Sequence, residues 1–422
     1  MKSNSIKFTV LSLLSTLLFL CACSKEDRPV EVKPSKAELI KIMITSQPAQ
    51  TTYSLGEALS LTGLVVEGIY KDNSKERLTV TDADIKGFSS EKPVEEQTVT
   101  VEINKLTATF IVKILPVKIV EGVLTFVEPD VTSLVLPKNV TKISKNLFRS
   151  GKITEITLNE GLTDIGEQAF AWSAITKINF PKSLKNIETA AFYGCKNLKE
   201  LDLRKTSMTK IIHETFALNA NLVSVKLPAF VNEIEYQAFL NATSLKELEL
   251  PEGLLKIGNE AFRGNGLVNL KLPNSICYMD QRAFYQSGEL LTVQTFGNAP
   301  AENNGVELCK MESSTFEHCP KLQHFEIPKG VQIIGWNTLT KSPDLLSIVI
   351  PATVKEIDFN AFGNASLKTV SVEGTTPALA KTISGAWQAF PYSIESIKVP
   401  AGTVDAYKAA EGWKSYANKI IE

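Results

Sequence analysis

Residues 250–262 read Leu250-Pro251-Glu252-Gly253-Leu254-Leu255-Lys256-Ile257-Gly258-Asn259-Glu260-Ala261-Phe262, and this stretch decides the fold because it recurs. Its closing Phe appears at Phe148, Phe170, Phe192, Phe216, Phe239, Phe262 and Phe284, in steps of 22, 22, 24, 23, 23 and 22 residues. The series continues at Phe316, Phe362 and Phe390, with Leu339 in its place once. A second series runs in phase with it: Pro137, Pro181, Pro228, Pro251, Pro273, Pro328, Pro351 and Pro400. Before the proline stands L-x-x-L-x-L, cleanest as Leu198-Lys199-Glu200-Leu201-Asp202-Leu203 and Leu245-Lys246-Glu247-Leu248-Glu249-Leu250. A fixed period of roughly 20–50 residues marks a solenoid. One coil cannot bury both of its apolar rows; stacked coils bury them as continuous ladders, so stability comes mainly from neighbours. The apolar positions are expected to face the stack and the x positions solvent. Proline is expected to end each strand, because it lacks the N–H that a longer ladder needs.

Residues 250–262 are very similar to the repeat of BspA-type leucine-rich repeat proteins. The chain departs from the commoner leucine-rich repeat, which has Asn or Cys three residues past the last Leu. Here that place holds Asn139, Gly161, Ser183, Thr206, Phe230 and Gly253 in successive units, so an Asn ladder is not the organising device. The end, Ile397-Lys398-Val399-Pro400-Ala401-Gly402 with Ala406-Tyr407-Lys408 and Trp413, also resembles that family. Tyr407, Trp413 and Ile420 are expected to cover the last coil as a short helical cap. The period breaks once: Phe284 to Phe316 is 32 residues. The surplus falls in 296–311, which is polar and rich in Gly and Asn, and reads as a loop on one edge. Such loops often carry function, although drift in length is the plainer account. The repeat domain is expected to span 116–422.

Residues 37–115 hold β-branched runs between turn residues: 39–44, 64–70, 98–103 and 108–112. That spacing suggests an all-β sandwich. Tyr53-Ser54-Leu55-Gly56-Glu57, Gly63-Leu64-Val65-Val66 and Tyr70-Lys71-Asp72-Asn73-Ser74 look like a bacterial Ig-like domain. That family often has a Gly before its Thr-Val-Thr-Val strand; Glu95-Glu96 stands near that place here. The fold class is therefore mainly β: an Ig-like β-sandwich as a spacer, then a BspA-type solenoid with a short C-terminal helical cap.

At the N-terminus, Lys2 and Lys7 flank the start of an apolar run, Phe8 to Ala22, the pattern of a secretory signal. Leu20-Cys21-Ala22-Cys23 resembles a bacterial lipoprotein lipobox, which implies a signal peptide at 1–22 and lipidation of Cys23. Ser24-Lys25-Glu26-Asp27 is similar to the surface-export signal of Bacteroidetes lipoproteins. Residues 23–36 lack an apolar period and read as a tether. The implied location is the outer membrane, lipid-anchored and exposed on the cell surface.

The 422 residues carry 45 bases and 46 acids, a formal charge of −1, which argues against a nucleic-acid binder. Three His are a thin supply for a metal or base centre. His318 and His324 lie close in sequence but would need further ligands, and the metal reading is set aside. No C-x-x-C, G-x-S-x-G or Walker glycine loop occurs. No catalytic residue, metal or cofactor is assigned. Cys195 and Cys319 share a repeat position and read as small buried fillers; a bridge between Cys309 and Cys319 across the insertion is the alternative. On the open sheet face the middle column alternates in sign through Asp202, Lys226, Glu249 and Lys271 and holds no aromatic ring. It reads as a solvated face with cross-strand charge pairing, or as a mixed-charge surface for a protein. Trp172, Tyr193 and Tyr285 lie instead on the edge after the Phe, as candidate hot spots. The candidate partner-binding residues are therefore Trp172, Tyr193, Tyr285, Lys226, Glu249 and Lys271. The resemblance implies a cell-surface adhesion module for protein partners, such as host matrix or serum proteins or other cells. The alternative is a surface glycan-binding protein of a polysaccharide-uptake system.

Overall fold

The computed structural model describes residues 37–297, 309–363, 365–381 and 388–422. The signal peptide, Cys23 and the tether lie outside the described residues, as do residues 298–308 of the insertion.

The first module is a sandwich of two small sheets. One pairs β1 (Leu39–Ser46), β3 (Val65–Tyr70) and β4 (Lys75–Leu78); the other runs β2 (Thr52–Tyr53), β7 (Leu106–Ile114), β6 (Val94–Ile103) and β5 (Ile85–Lys86). Period-2 alternation sends Val66, Val99, Val101, Phe110 and Val112 into the core. The β6–β7 hairpin turns at Asn104-Lys105, both at positive φ, the conformation that matches strand twist. The register of β6 slips between Val94 and Gln97, so Glu95-Glu96 occupies a β-bulge. A backbone bond from Leu55 N–H to Val117 O (2.7 Å) ties this module to the next.

The second module is a β-solenoid closed at its N-terminal end by a hairpin, β8 (Val117–Val120) and β9 (Val123–Val127). Each coil has three sides. The first is a short strand such as Glu247–Glu249, parallel and in register with Ser224–Lys226 of the previous coil. Its middle residue points in and its flanking residues point out, as the L-x-x-L-x-L pattern requires. The second side is a two-residue strand such as Lys256–Ile257, paired with Glu233–Ile234. The third is the turn carrying Phe. Neighbouring rings stack along the axis at 4.8–5.6 Å with interplanar angles of 16° or less. One continuous core runs from Val117 to Ile420.

The turn side has a backbone ladder of its own. From Phe148 to Phe362 the residue two before the Phe takes positive φ, as at Gln168 (52°), Ala190 (54°) and Glu260 (54°). The second residue after it does the same, as at Trp172 (60°) and Leu218 (58°). Side chains there cost about 1–2 kcal/mol per residue. The ladder offsets this: Gln168, Phe170 and Trp172 N–H groups donate to Thr189, Ala191 and Tyr193 O of the next coil at 3.0, 2.7 and 2.7 Å.

The cysteine pairing needs correction. Cys309 pairs with Cys277, not Cys319. Cys277 and Cys309 each stand one residue before the narrow strands Tyr278–Met279 and Lys310–Met311, so parallel register brings their Cα atoms to 4.2 Å. Cys319 lies further on, buried in the turn with Cys195 matching it, both as the filler reading requires. Proline does end the longest of the wide strands: Asn269–Pro273 pairs through Pro273 to Phe296, with Asn274 N–H bonded to Phe296 O (2.7 Å) just beyond.

The root of the insertion is pinned. The buried Asn274 donates to Gly297 O and accepts from Lys329 N–H, both at 3.0 Å, spanning the coil that departs into the loop. At the C-terminus, helix α1 (Val404–Ala409) and a 3-10 turn cover the last coil. Tyr407 and Trp413 are fully buried, and their polar tips reach Gly374 O and Ala378 O at 2.7 Å. Ile420 takes part as a strand, pairing with Ile397, rather than as part of the helical cap.

Candidate functional site

Some charges of the open sheet face pair with one another. Lys226 and Glu249 sit on adjacent coils, 4.0 Å apart, so the structure brings these two candidates together as each other's counter-ion. Arg204 grips Asp202 with two bonds of 3.0 and 2.7 Å, which hold that carboxyl below its usual range. Lys271 is exposed beside Gln294 in register. The narrow side is similar: Glu233 bridges Lys210 (2.6 Å) and Lys256 (3.0 Å), and Lys142 meets Glu188 (3.1 Å). Partly exposed pairs of this kind stabilise neighbouring coils by about 0–1 kcal/mol. Among the described residues, no group of three or more His, Cys, Asp and Glu side chains is placed to hold a metal. No helix among them is long and apolar enough to cross a membrane.

The ridge after the Phe differs. Trp172 is 41% exposed, an unusual state for the largest apolar side chain. Its backbone is fixed by the turn ladder, and its indole lies over Gly194 of the next coil. A Cβ at position 194 would fall 2.5 Å from the ring, so glycine is what lets the indole lie flat. Tyr193 meets the indole edge-on at 5.3 Å, and Lys196 Nζ stands 5.8 Å from its centre. Trp172 and Tyr193 are thus brought together, whereas Tyr285 lies four coils further along the same ridge.

Tyr285 has its own setting. The guanidinium carbons of Arg263 and Arg282 stand 5.4 and 5.7 Å from its ring centre, and His318 meets it edge-on at 5.8 Å. Beneath them Glu260 accepts from Gln237 (2.7 Å) and Arg263 (3.0 Å), with Arg282 at 3.7 Å. Sequence reasoning found the aromatic residues of this ridge but missed the bases around them. Their signal was present in the repeat columns, with Arg263, His318 and Lys196 first, second and fourth after a Phe and Arg282 second before one.

Comparison with known proteins adds the following. The model of the BspA type Leucine rich repeat region matches residues 123–246, 209–299, 232–368 and 302–394. The model of the bacterial Ig-like domain (group 3) matches residues 46–114. A curated relative, pectate lyase L of Thermoclostridium stercorarium, is 37% identical over 82 residues; the match covers 19% of this chain and only 7% of that protein. Among solved structures, a leucine-rich repeat protein from Bacteroides ovatus is 19% identical, with 76% of this chain and 94% of that one covered at a TM-score of 0.43. A leucine rich cell surface protein from Faecalibacterium prausnitzii is 17% identical, with 73% and 95% covered at a TM-score of 0.40.

Proposed function

The chain belongs to the BspA-type leucine-rich repeat family, and from that premise we propose that it is a non-enzymatic, lipid-anchored protein of the bacterial cell surface that captures a protein partner on the ridge of its solenoid. The observation that carries this reading is the Trp172–Tyr193 pair, held rigid by the turn ladder and Gly194 yet left open to solvent. Preorganised aromatic residues of this kind are the usual anchors of protein interfaces. Carboxylates of the two strand faces such as Glu233 and Glu249 are engaged by lysines of neighbouring coils, an arrangement that suits stability better than turnover. The Cys277–Cys309 disulfide fits an oxidising compartment outside the cytosol. Acylation of Cys23 with more than one chain would make the membrane contact durable. The tether and Ig-like module would then hold the solenoid away from the lipid.

Whole cells carrying the full chain test this. Cys23→Ser should move the protein from the membrane to the soluble fraction; retention in the membrane refutes the anchor. Wild-type cells should bind at least one immobilised matrix or serum protein, and Trp172→Ala should weaken that binding by about 2 kcal/mol, roughly thirty-fold. Retention of a polysaccharide on a glycan array with no protein bound would replace the protein-capture reading with glycan uptake.

A further inference from the structure

We propose that this ridge recognises a carboxylate-rich polypeptide segment, an Asp/Glu-rich stretch of the partner lying along the solenoid axis. The proposal rests on the ridge being the docking surface and adds the chemistry of what docks. It starts from how charge is distributed. At the first, second and fourth positions after each Phe, or after Leu339 in its place, every exposed or partly exposed charge among the described residues is basic: Arg149, Lys152, Lys196, Arg263 and Lys341; of these, Lys152 also meets Asp130 at 2.7 Å. The one acid in those columns, Glu317, is buried and bonded to Lys341 at 2.9 Å. The column four residues before the Phe is the reverse, with Glu188, Glu235, Asp280, Glu312 and Asp358. Several of those acids are answered by lysines of the narrow strands, as in Lys142–Glu188 and Lys310–Glu312. A chain with a formal charge of −1 thus carries columns of basic residues along one ridge, among which Arg149, Lys196, Arg263 and Arg282 face outward.

The site around Tyr285 shows how that charge is maintained. The Glu260 side chain is only 9% exposed, whereas those of Arg263 and Arg282 are 36% and 55% exposed. The anion lies below and the guanidinium groups face out, so they are held in place without losing their outward donors. Stacking against Tyr285 fixes their planes. A fixed guanidinium plane is suited to bidentate bonds with a carboxylate. Arg263 and Arg282 follow and precede Phe rings that stack 5.2 Å apart. Same-side residues of an extended chain recur every ~6.6 Å, close enough for successive carboxylates to meet successive coils. A sugar polymer or single-stranded nucleic acid asks for open ring faces. Here the Tyr285 ring is flanked by two guanidinium groups, and the indole of Trp172 rests on Gly194.

The test measures equilibrium binding of the full chain to a peptide of ten glutamates, with a ten-glutamine peptide and polygalacturonate as comparison probes. The glutamate peptide should bind, weakening about tenfold or more as salt rises from roughly 50 to 200 mM, because screening shortens the reach of exposed charge. Arg263→Gln with Arg282→Gln should weaken it by about tenfold. Because those changes also touch buried Glu260, a second variant, Arg149→Gln with Lys196→Gln, should weaken it several-fold at unchanged thermal stability. Lys226→Gln, on the open sheet face, should leave it unchanged. Equal binding of the glutamine peptide, or binding of polygalacturonate alone, overturns the inference. If no probe binds while a protein partner is still captured through Trp172, the inference fails and the docking reading stands; if nothing is captured at all, both fail.

Discussion

Phe239 is fully buried between two parallel rings, 5.5 Å from Phe216 and 5.1 Å from Phe262. Truncation to Ala would remove a ring from the middle of a stack that cannot collapse without moving both neighbours. Phe239→Ala should therefore destabilise by about 3–5 kcal/mol, read from the denaturant midpoint. A change below about 1 kcal/mol would mean that the Phe column does not form the core. This residue was legible in the sequence because its period alone places it inside. Cys195 was legible only in part. Its size was readable, but its bond was not: Sγ donates to Phe170 O at 3.0 Å. Asn219, Asn265 and Ser287, also third after a Phe, cap Phe carbonyls in the same way at 2.6–3.0 Å. Polar side chains in this column thus satisfy turn carbonyls that the ladder leaves, while burial pushes the Cys195 thiol up to about 11.

Single narrow strands have two residues and no independent stability, so they depend on what joins them across coils. Glu233 is the clearest case. Burial raises its carboxyl, but Lys210 and Lys256 outweigh that and hold it below the usual range. A carboxylate depressed in the folded state adds stability that is full above the unfolded carboxylate range and fades as pH falls through the folded value. Glu233→Gln should cost about 0.5–1 kcal/mol at neutral pH, the modest size reflecting the half-exposed Lys210. That cost should shrink towards zero near about pH 3. An equal cost at both pH values, by urea unfolding, would refute the ion-pair account. The sequence showed alternating signs on the wide strands. It did not show the stack on the narrow ones, because two-residue strands carry no periodicity of their own.

Across the whole molecule, the coils are not joined equally. Between Lys177–Asn179 and Glu200–Asp202 the wide sheet lapses, and between Asn186–Ile187 and Lys210–Ile211 the narrow sheet lapses at the same boundary. Among the described residues it is the one place where both do so. The turn ladder still crosses it, through Ala190, Phe192 and Gly194 N–H bonds of 3.0, 2.9 and 2.8 Å to the next coil. The boundary coincides with the 24-residue Phe step, and in the same coil Leu203 is followed by Arg204 rather than proline. The Phe192–Phe216 spacing there is the widest in the stack at 5.6 Å. Native-state hydrogen exchange should show amides of 200–202 and 210–211 opening at lower free energy than those of 224–226 and 256–257. Equal protection across the boundary would mean that the solenoid opens as one unit.

The period of the chain by itself determined the repeat class, the Phe core, the inward and outward rows and the aromatic cap. These follow from spacing, and stacking identical coils leaves no other way to bury two apolar rows. Tertiary structure decided what depends on which coil lies beside which. It chose Cys277 over Cys319 for Cys309, made Lys226 and Glu249 partners, and set Arg263 and Arg282 around Tyr285 over a buried Glu260. Cys277–Cys309, Lys226–Glu249 and Arg263–Tyr285 each join neighbouring coils, and they are fixed by the register of parallel strands and by a left-handed turn that no local pattern announces.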